Sequence, residues 1–469
     1  MTTEQESISA PEAPAARVIA NEQVLARRLS ARQLAMIAIG GAIGTGLFLG
    51  SALSVRVAGP GVIITYLIGA LVALLLMGAL SEMAVAHPTA GSFGVYAEIY
   101  LSPWAGFVSR WTYWAAQVIA IGGEITAVAI YCKLWFPRVP SWVWIVSFSA
   151  AMVYVNARNV GSFGEFEYWF AMIKVVTIVL FIVFGVAAIT GLGTGERIGL
   201  QNYTAHGGFL PHGLAGVWKA IVFVIFSYIG TEVVAVTAGE AANPQEAVPR
   251  AMRSMLLRLI TFYLGAIVIL IGVAPWDRLL PGGGVQASPF VTVFQLFGIP
   301  AATHLMNFVV LTAALSSINC NLYLVTRMLF SLARGGYAPA PFGRVNGRSV
   351  PVNALLASTG GLALAVYLAA RYRESAYVYL FGVALFGGLF VWLMIFITHL
   401  RFRPRWERSG GEKLPVRMPL YPYSSVLGAI LLAAILATTW GVEGMEVTLK
   451  VGIPWLILLS VGYLLWKKK

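Results

Sequence analysis

An all-α membrane protein with twelve transmembrane helices is what three features of this sequence specify. Of its 469 residues, 59% are hydrophobic and only 11% charged, with a mean hydropathy of +0.80. Soluble domains average roughly 25% charged and about 45–50% apolar residues, so one aqueous globule could not hide this much apolar surface. The apolar residues fall into twelve runs, near 33–57, 61–84, 104–132, 140–157, 167–191, 214–238, 250–274, 297–332, 352–370, 376–400, 423–440 and 448–466. Each supplies roughly 18 residues or more, enough to cross about 30 Å of hydrocarbon as a helix. Barrel strands would instead be short and alternating. The third feature is loop charge. With the N-terminus inside, 22 Lys and Arg lie on the cytoplasmic side, Arg110 and Arg327 among them, and 8 on the other. Only Lys174 and Lys219 fall within the membrane. That bias places both termini in the cytoplasm.

Residues 1–30 are polar, rich in Ala, Glu and Pro, and are expected to form a flexible cytoplasmic head. The first apolar run begins only near Leu34, so no cleavable signal peptide is expected. The net charge of +13 follows from the loop residues that set topology, and nucleic acid is not an expected partner. Cys132 and Cys320 both lie in apolar runs, and the five histidines show no ligand spacing. Neither a disulfide framework nor a metal or other cofactor is expected. No HExxH, GxSxG or GxxxxGK[ST] string occurs, which argues against a membrane-embedded hydrolase and an ATP-driven pump.

Two runs are interrupted alike. The first carries Ile39-Gly40-Gly41-Ala42-Ile43-Gly44-Thr45-Gly46, and the sixth carries Ser227-Tyr228-Ile229-Gly230-Thr231-Glu232. Gly44 and Gly230 lie 186 residues apart, and the odd offset of five spans from the first to the sixth makes the two elements enter the membrane from opposite sides. Matched glycine breaks of this kind point to a transporter binding site, since unwound backbone at membrane depth must line a cavity or meet a ligand. Close helix packing is the alternative use of such glycines. A broken helix exposes N–H groups that suit a carboxylate and carbonyls that suit an ammonium group. Two facing breaks therefore suit a zwitterion, of which an α-amino acid is the commonest. Gly44 and Gly46 would let a carboxylate reach the backbone, and Thr45 could add a hydroxyl.

Four strings resemble the bacterial amino acid permeases of the amino acid–polyamine–organocation superfamily. They are GGAIGTGLFLGS at 40–51, PTAGSFGVYA at 88–97, FEYWFAMIKV at 166–175 and EAANPQEAVPR at 240–250. The resemblance runs over about residues 25–465 and implies the leucine-transporter fold. On that plan 31–191 is a first inverted repeat of spans 1–5, and 214–401 a second of spans 6–10. Spans 1 and 6 are broken, and 423–466 supplies two accessory spans. It also implies a bacterial inner-membrane location.

What the resemblance implies for single residues follows motif by motif. Ile43, Gly44, Thr45 and Gly46 match the carboxylate-binding stretch. Phe226, Ser227 and Ile229 match positions whose carbonyls take the amino group, and Phe226 also matches the occluding aromatic. Glu124 and Asn321 fall where side chains line the pocket, although Cys320 departs from the Ser or Gly the family favours there. Lys174 matches a lysine that, in proton-coupled members, stands where sodium sits in sodium-coupled relatives. Its amine is then expected between spans 1 and 8, near the Gly41 or Ala42 carbonyls and the Ser316 and Ser317 hydroxyls. A snorkelling anchor is the alternative for Lys174.

Carboxylates inside a membrane default to function, and Glu124 and Glu232 are the two near the breaks. Gating, coupling or pocket roles stand beside helix-tying hydrogen bonds for both. Trp111, Tyr113, Trp114, Trp135 and Trp392 are expected as interface anchors or packing. The expected function is secondary active import of an L-amino acid, neutral in side chain, with protons as the coupling ion. A cationic substrate, exchange without protons, and an amino acid sensor remain as alternatives. Membrane lipid is the other expected partner, and the oligomeric state is left open.

Overall fold

The computed structural model describes residues 12–22, 25–44, 46–158, 160–192, 197–278, 289–296, 298–299, 301–371 and 376–467. In chain order the helices are α1 (Glu12–Glu22), α2 (Ala31–Ala42), α3 (Ser51–Ala58), α4 (Val62–Ala86), α5 (Ser92–Tyr100) and α6 (Pro103–Lys133). Next come α7 (Ser141–Ala157), α8 (Val160–Thr190), α9 (Gly213–Val224), α10 (Val233–Thr237), α11 (Pro244–Val273) and α12 (Pro289–Leu296). The last five are α13 (Ala302–Arg334), α14 (Val352–Arg371), α15 (Ala376–Arg408), α16 (Tyr423–Thr438) and α17 (Val447–Lys467). Among the described residues no strand forms, and a single bridge pairs Leu29 with Ala241.

Local chemistry sets where several helices begin. Ser30 caps α2 through the Gln33 N–H, and the Gln33 side chain returns a bond to the Ser30 N–H, which satisfies two orphan donors. Ser102 caps α6 just ahead of Pro103, a residue suited to a first helical turn because it lacks the N–H that would go unpaired there. Between α3 and α4 the chain turns at Gly59-Pro60-Gly61, with Gly59 at φ +60°.

Nine helical stretches among the described residues are long and apolar enough to cross a membrane, and α7 is a shorter apolar helix of 17 residues. The run read at 33–57 is regular α-helix over Ala31–Ala42 and again over Ser51–Ala58, and it is interrupted between them where glycines at 40, 41, 44 and 46 concentrate. Three elements lie outside every apolar run or at its fringe: α1 in the polar head, α5 between the second and third runs, and α12 before the eighth.

The bundle has inner and outer helices. In α13 and in the stretch from Gly213 to Glu240, 89% and 83% of the most apolar window is buried, against 33% in α16 and 22% in α17. The last two helices therefore lie at the periphery. Around the interrupted segment, α2 packs on α8, α11 and α13, while α6 packs on α13, α14 and α15. Those contacts place both interruptions at the centre of the molecule.

Candidate functional site

The two interruptions meet. After α2 the chain turns at Ile43 and Gly44, and a π-helical turn runs from Gly46 to Gly50. After α9 the chain passes through a tight 3-10 turn, Ile225–Tyr228, then through Ile229 to Glu232 into α10. Gly230 has φ +106°, and a Cβ there would lie 2.4 Å from the Gly41 carbonyl oxygen. Only glycine meets both the conformation and the contact. Close packing and an opened backbone are thus both realised at the same glycines.

A cavity opens beside this junction. Its wall includes Gly44, Gly46, Phe226, Ser227 and Ile229 from the interruptions, Glu124 from α6, and Ser317 and Asn321 from α13. The ring of Phe226 packs against Phe381 of α15 with centroids 4.1 Å apart and the planes tilted by 36°. Gln117, Gly123, Leu380 and Ala384 also contribute, and the space ahead of Gly123 is open. Eight of the residues singled out from the sequence thus share one cavity. Ile43 is fully buried beside it, and Thr45 lies outside the described residues.

Glu232 faces elsewhere. Tyr113 Oη donates to its Oε1 at 2.6 Å, and the Gly230 N–H and Trp392 Nε1 donate to its Oε2 at 2.9 and 3.1 Å. One fully buried carboxylate therefore fixes the second interruption to α6 and α15. Tyr113 and Trp392, expected as anchors or packing, are its partners. The freed carbonyls have a partner of their own in Tyr263 of α11. Its hydroxyl lies 2.7 Å from the Ala42 oxygen and 2.8 Å from the Ser227 oxygen, so one proton serves both breaks.

Lys174 is fully buried and does not snorkel. Its Nζ donates to the Gly40 carbonyl at 2.7 Å and to Ser316 Oγ at 2.8 Å, joining α2 to α13. The carbonyl is one residue earlier than those named from the resemblance, and Ser317 turns to the cavity instead. Beside Lys174 stands Glu167, two turns earlier on the same face of α8. A Cβ at position 40 would lie 1.9 Å from Glu167 Oε1, so the missing side chain lets α8 close on the backbone at Gly40. Glu167 stands in the quoted 166–175 string, and its spacing of seven from Lys174 puts both on one face. Tyr263, Gln117 and Phe381 carried no comparable signal.

Two further cations differ from their expected settings. Arg110 is no loop residue but a buried member of α6, paired with Glu98 and bonded to Ser331 Oγ at 2.9 Å. Arg327 is buried on α13, with Nε 2.8 Å from Glu240 Oε1. Each is retained inside because a carboxylate neutralises it. Among the described residues no group of histidine, cysteine or acidic side chains could hold a metal ion.

Comparison with known proteins gives this geometry its context. The profile of the amino acid permease family matches residues 33–469. The chain is 40% identical over 445 residues to an uncharacterized amino acid permease of Bacillus subtilis, covering 94% of this chain and 95% of that one. It is 40% identical over 450 residues to a gamma-aminobutyric acid permease of the same organism, covering 95% and 94%. Against an aromatic amino acid transport protein of Escherichia coli it is 39% identical over 446 residues, covering 95% and 96%. These relatives are transporters and not enzymes. With nearly its whole length matched and its apolar helices gathered around a central cavity, the chain belongs to the amino acid permease family of the amino acid–polyamine–organocation superfamily, as a multi-pass membrane protein.

Proposed function

We propose that this permease imports a neutral L-amino acid together with a proton, by alternating access across a bacterial inner membrane. Both termini are read as cytoplasmic, and the bundle as twelve spans. Spans 1–5 and 6–10 form the inverted repeat, with spans 1 and 6 broken. The substrate carboxylate sits at the backbone of Ile43 to Gly46, and its amino group at the carbonyls of Phe226, Ser227 and Ile229. The Ser227 oxygen, already accepting from Tyr263, has one lone pair left for that task. Phe226, backed by Phe381, covers the substrate, while Glu124 and Asn321 meet its side chain.

The observation that carries the coupling is the Lys174 bridge. A buried ammonium between the α2 backbone and Ser316 does what a bound cation would do, holding two helices together while charged. Loss of its proton would free them.

Uptake into substrate-free liposomes, with and without an inward proton gradient, tests this reading. Accumulation that follows the gradient is expected. Uptake that needs preloaded internal substrate and ignores the gradient would replace symport by exchange. A second reading, a cationic substrate, draws on the Glu124 carboxylate in the cavity wall. Thermal-shift screening of the common amino acids separates the two, because a ligand that binds the folded state raises its apparent stability.

A further inference from the structure

We propose that Glu167 is the proton acceptor for Lys174, with the Ser316 hydroxyl as the bridge between them, so that the coupling proton has two buried sites and not one. The proposal rests on the proton-coupled reading above and adds a residue that reading does not use.

The geometry is that of a short wire. Glu167 and Lys174 are both fully buried on α8, two turns apart. Ser316 of α13 stands between them, accepting from Lys174 Nζ at 2.8 Å and donating its own proton to Glu167 Oε1. Donor and acceptor follow one another in a single direction, from amine to carboxylate. The other carboxylate oxygen accepts from Asn319 Nδ2 at 3.0 Å, and Asn319 Oδ1 in turn accepts from Asn156 Nδ2 of α7 at 2.8 Å. Glu167 is therefore held in place, and Gly40 is the position that leaves it room.

The transfer balances without any co-reactant. An N–H bond of Lys174 breaks as an O–H bond forms on Ser316, and the hydroxyl's original proton passes to Glu167 Oε1. Lys174 is left a neutral amine, Glu167 a neutral acid, and Ser316 a hydroxyl as before. No net charge appears or disappears in the apolar interior, which avoids the large penalty of leaving one buried ion alone. A structural ion pair would use the same contacts but keep both charges throughout.

Few other ionisable groups face this pair. α13 brings the Cys320 thiol and α6 brings Glu124, while Tyr263 of α11 is engaged at the Ala42 carbonyl. From α2, Arg32 is occupied over the Tyr168 ring, 4.0 Å from its centroid, and Tyr154 of α7 is exposed. Cys320 is a further hydrogen-bond neighbour of Glu167, and its Sγ lies 3.9 Å from the Ile37 carbonyl, so it bounds the wire at its carboxylate end.

Infrared difference spectra of the purified full-length permease, taken between acid and alkaline pH, test this directly. A protonated-carboxyl C=O band is expected in the wild type, with one component lost in Glu167→Gln and that component shifted in Glu167→Asp. In liposomes, Glu167→Gln should exchange internal for external substrate yet lose gradient-driven accumulation, while Glu167→Asp recovers it. Ser316→Ala should lose accumulation as well. A folded Glu167→Gln protein that keeps the whole band, or that accumulates substrate like the wild type, overturns the proposal. If Glu167→Gln does not fold, Glu167→Asp and Ser316→Ala decide by the same two readouts. A wild type indifferent to the gradient would remove the proton-coupled reading instead, and the infrared band would still report whether Glu167 takes a proton.

Discussion

At Gly46 the size of the added group decides the outcome of a substitution. A Cβ there would lie 3.4 Å from Ser227 Oγ and 3.5 Å from Phe226 Cδ1, which are ordinary contacts. Gly46→Ala should therefore bind substrate with little loss. Gly46→Leu should abolish binding while insertion stays intact, because its branched end would fill the cavity. Near-native affinity of Gly46→Leu by calorimetry would remove the first interruption from the site. Phe226 invites a second substitution. Its tilted ring contact with Phe381 is worth about 0.5–1.5 kcal/mol beyond buried area, so Phe226→Ala should release substrate several-fold faster. Phe226→Tyr should be milder, and equal losses in the two variants would reduce Phe226 to packing. Residues of this kind are legible in a sequence when their type is rare in its setting. Lys174, Glu124 and Glu232 stand out against hydrocarbon, as do glycines clustered in mid-span. Gln117, Tyr263 and Phe381 do not, because an amide or aromatic ring in an apolar run shows its role only once helix rotation is known. Glu167 was visible in its string but silent, since its partners Ser316 and Asn319 lie about 150 positions away.

Among whole elements, the long spans were the plainest to read, since hydropathy over a full crossing length has few alternatives. The short helices α1, α5 and α12 lack that signal, because polar partners and neighbouring helices hold them. For α1 the pin is Glu22, buried at 4% exposure, which accepts from the Gly91 N–H at 2.9 Å. Arg334 Nε also donates to the Asn21 carbonyl at 2.7 Å. Burial pushes the Glu22 carboxyl above its ordinary range, with Arg110 and the Ser331 hydroxyl pulling the other way and Glu98 adding to the rise. A carboxyl raised in the docked state favours docking below its ordinary value near 4.5, and that advantage fades as pH rises through the raised value. A fluorophore on Ala16→Cys should accordingly report a more mobile α1 as pH rises. Adding Glu22→Gln should flatten the dependence with α1 still docked. A mobility trend that survives Glu22→Gln would place the titrating group elsewhere.

Across the whole molecule, buried ion pairs gather where α1 and the start of α2 meet the ends of α10 and α13. The Leu29 N–H donates to the Glu240 carbonyl, and the Ala242 N–H to the Leu29 carbonyl, each at 3.0 Å. Beside them Arg327 holds the Glu240 side chain, and Arg110 holds Glu98. These contacts close one end of the bundle, and Lys174 joins α2 to α13 deeper in. On the proposed reading, alternating access amounts to breaking this end as a unit once the lysine gives up its proton. The most direct measurement is uptake by Lys174→Met protein in liposomes carrying an inward proton gradient, beside the wild type. The account predicts that Lys174→Met still binds substrate and exchanges it across the membrane but no longer concentrates it. A Lys174→Met permease that concentrates substrate in response to the gradient would contradict it.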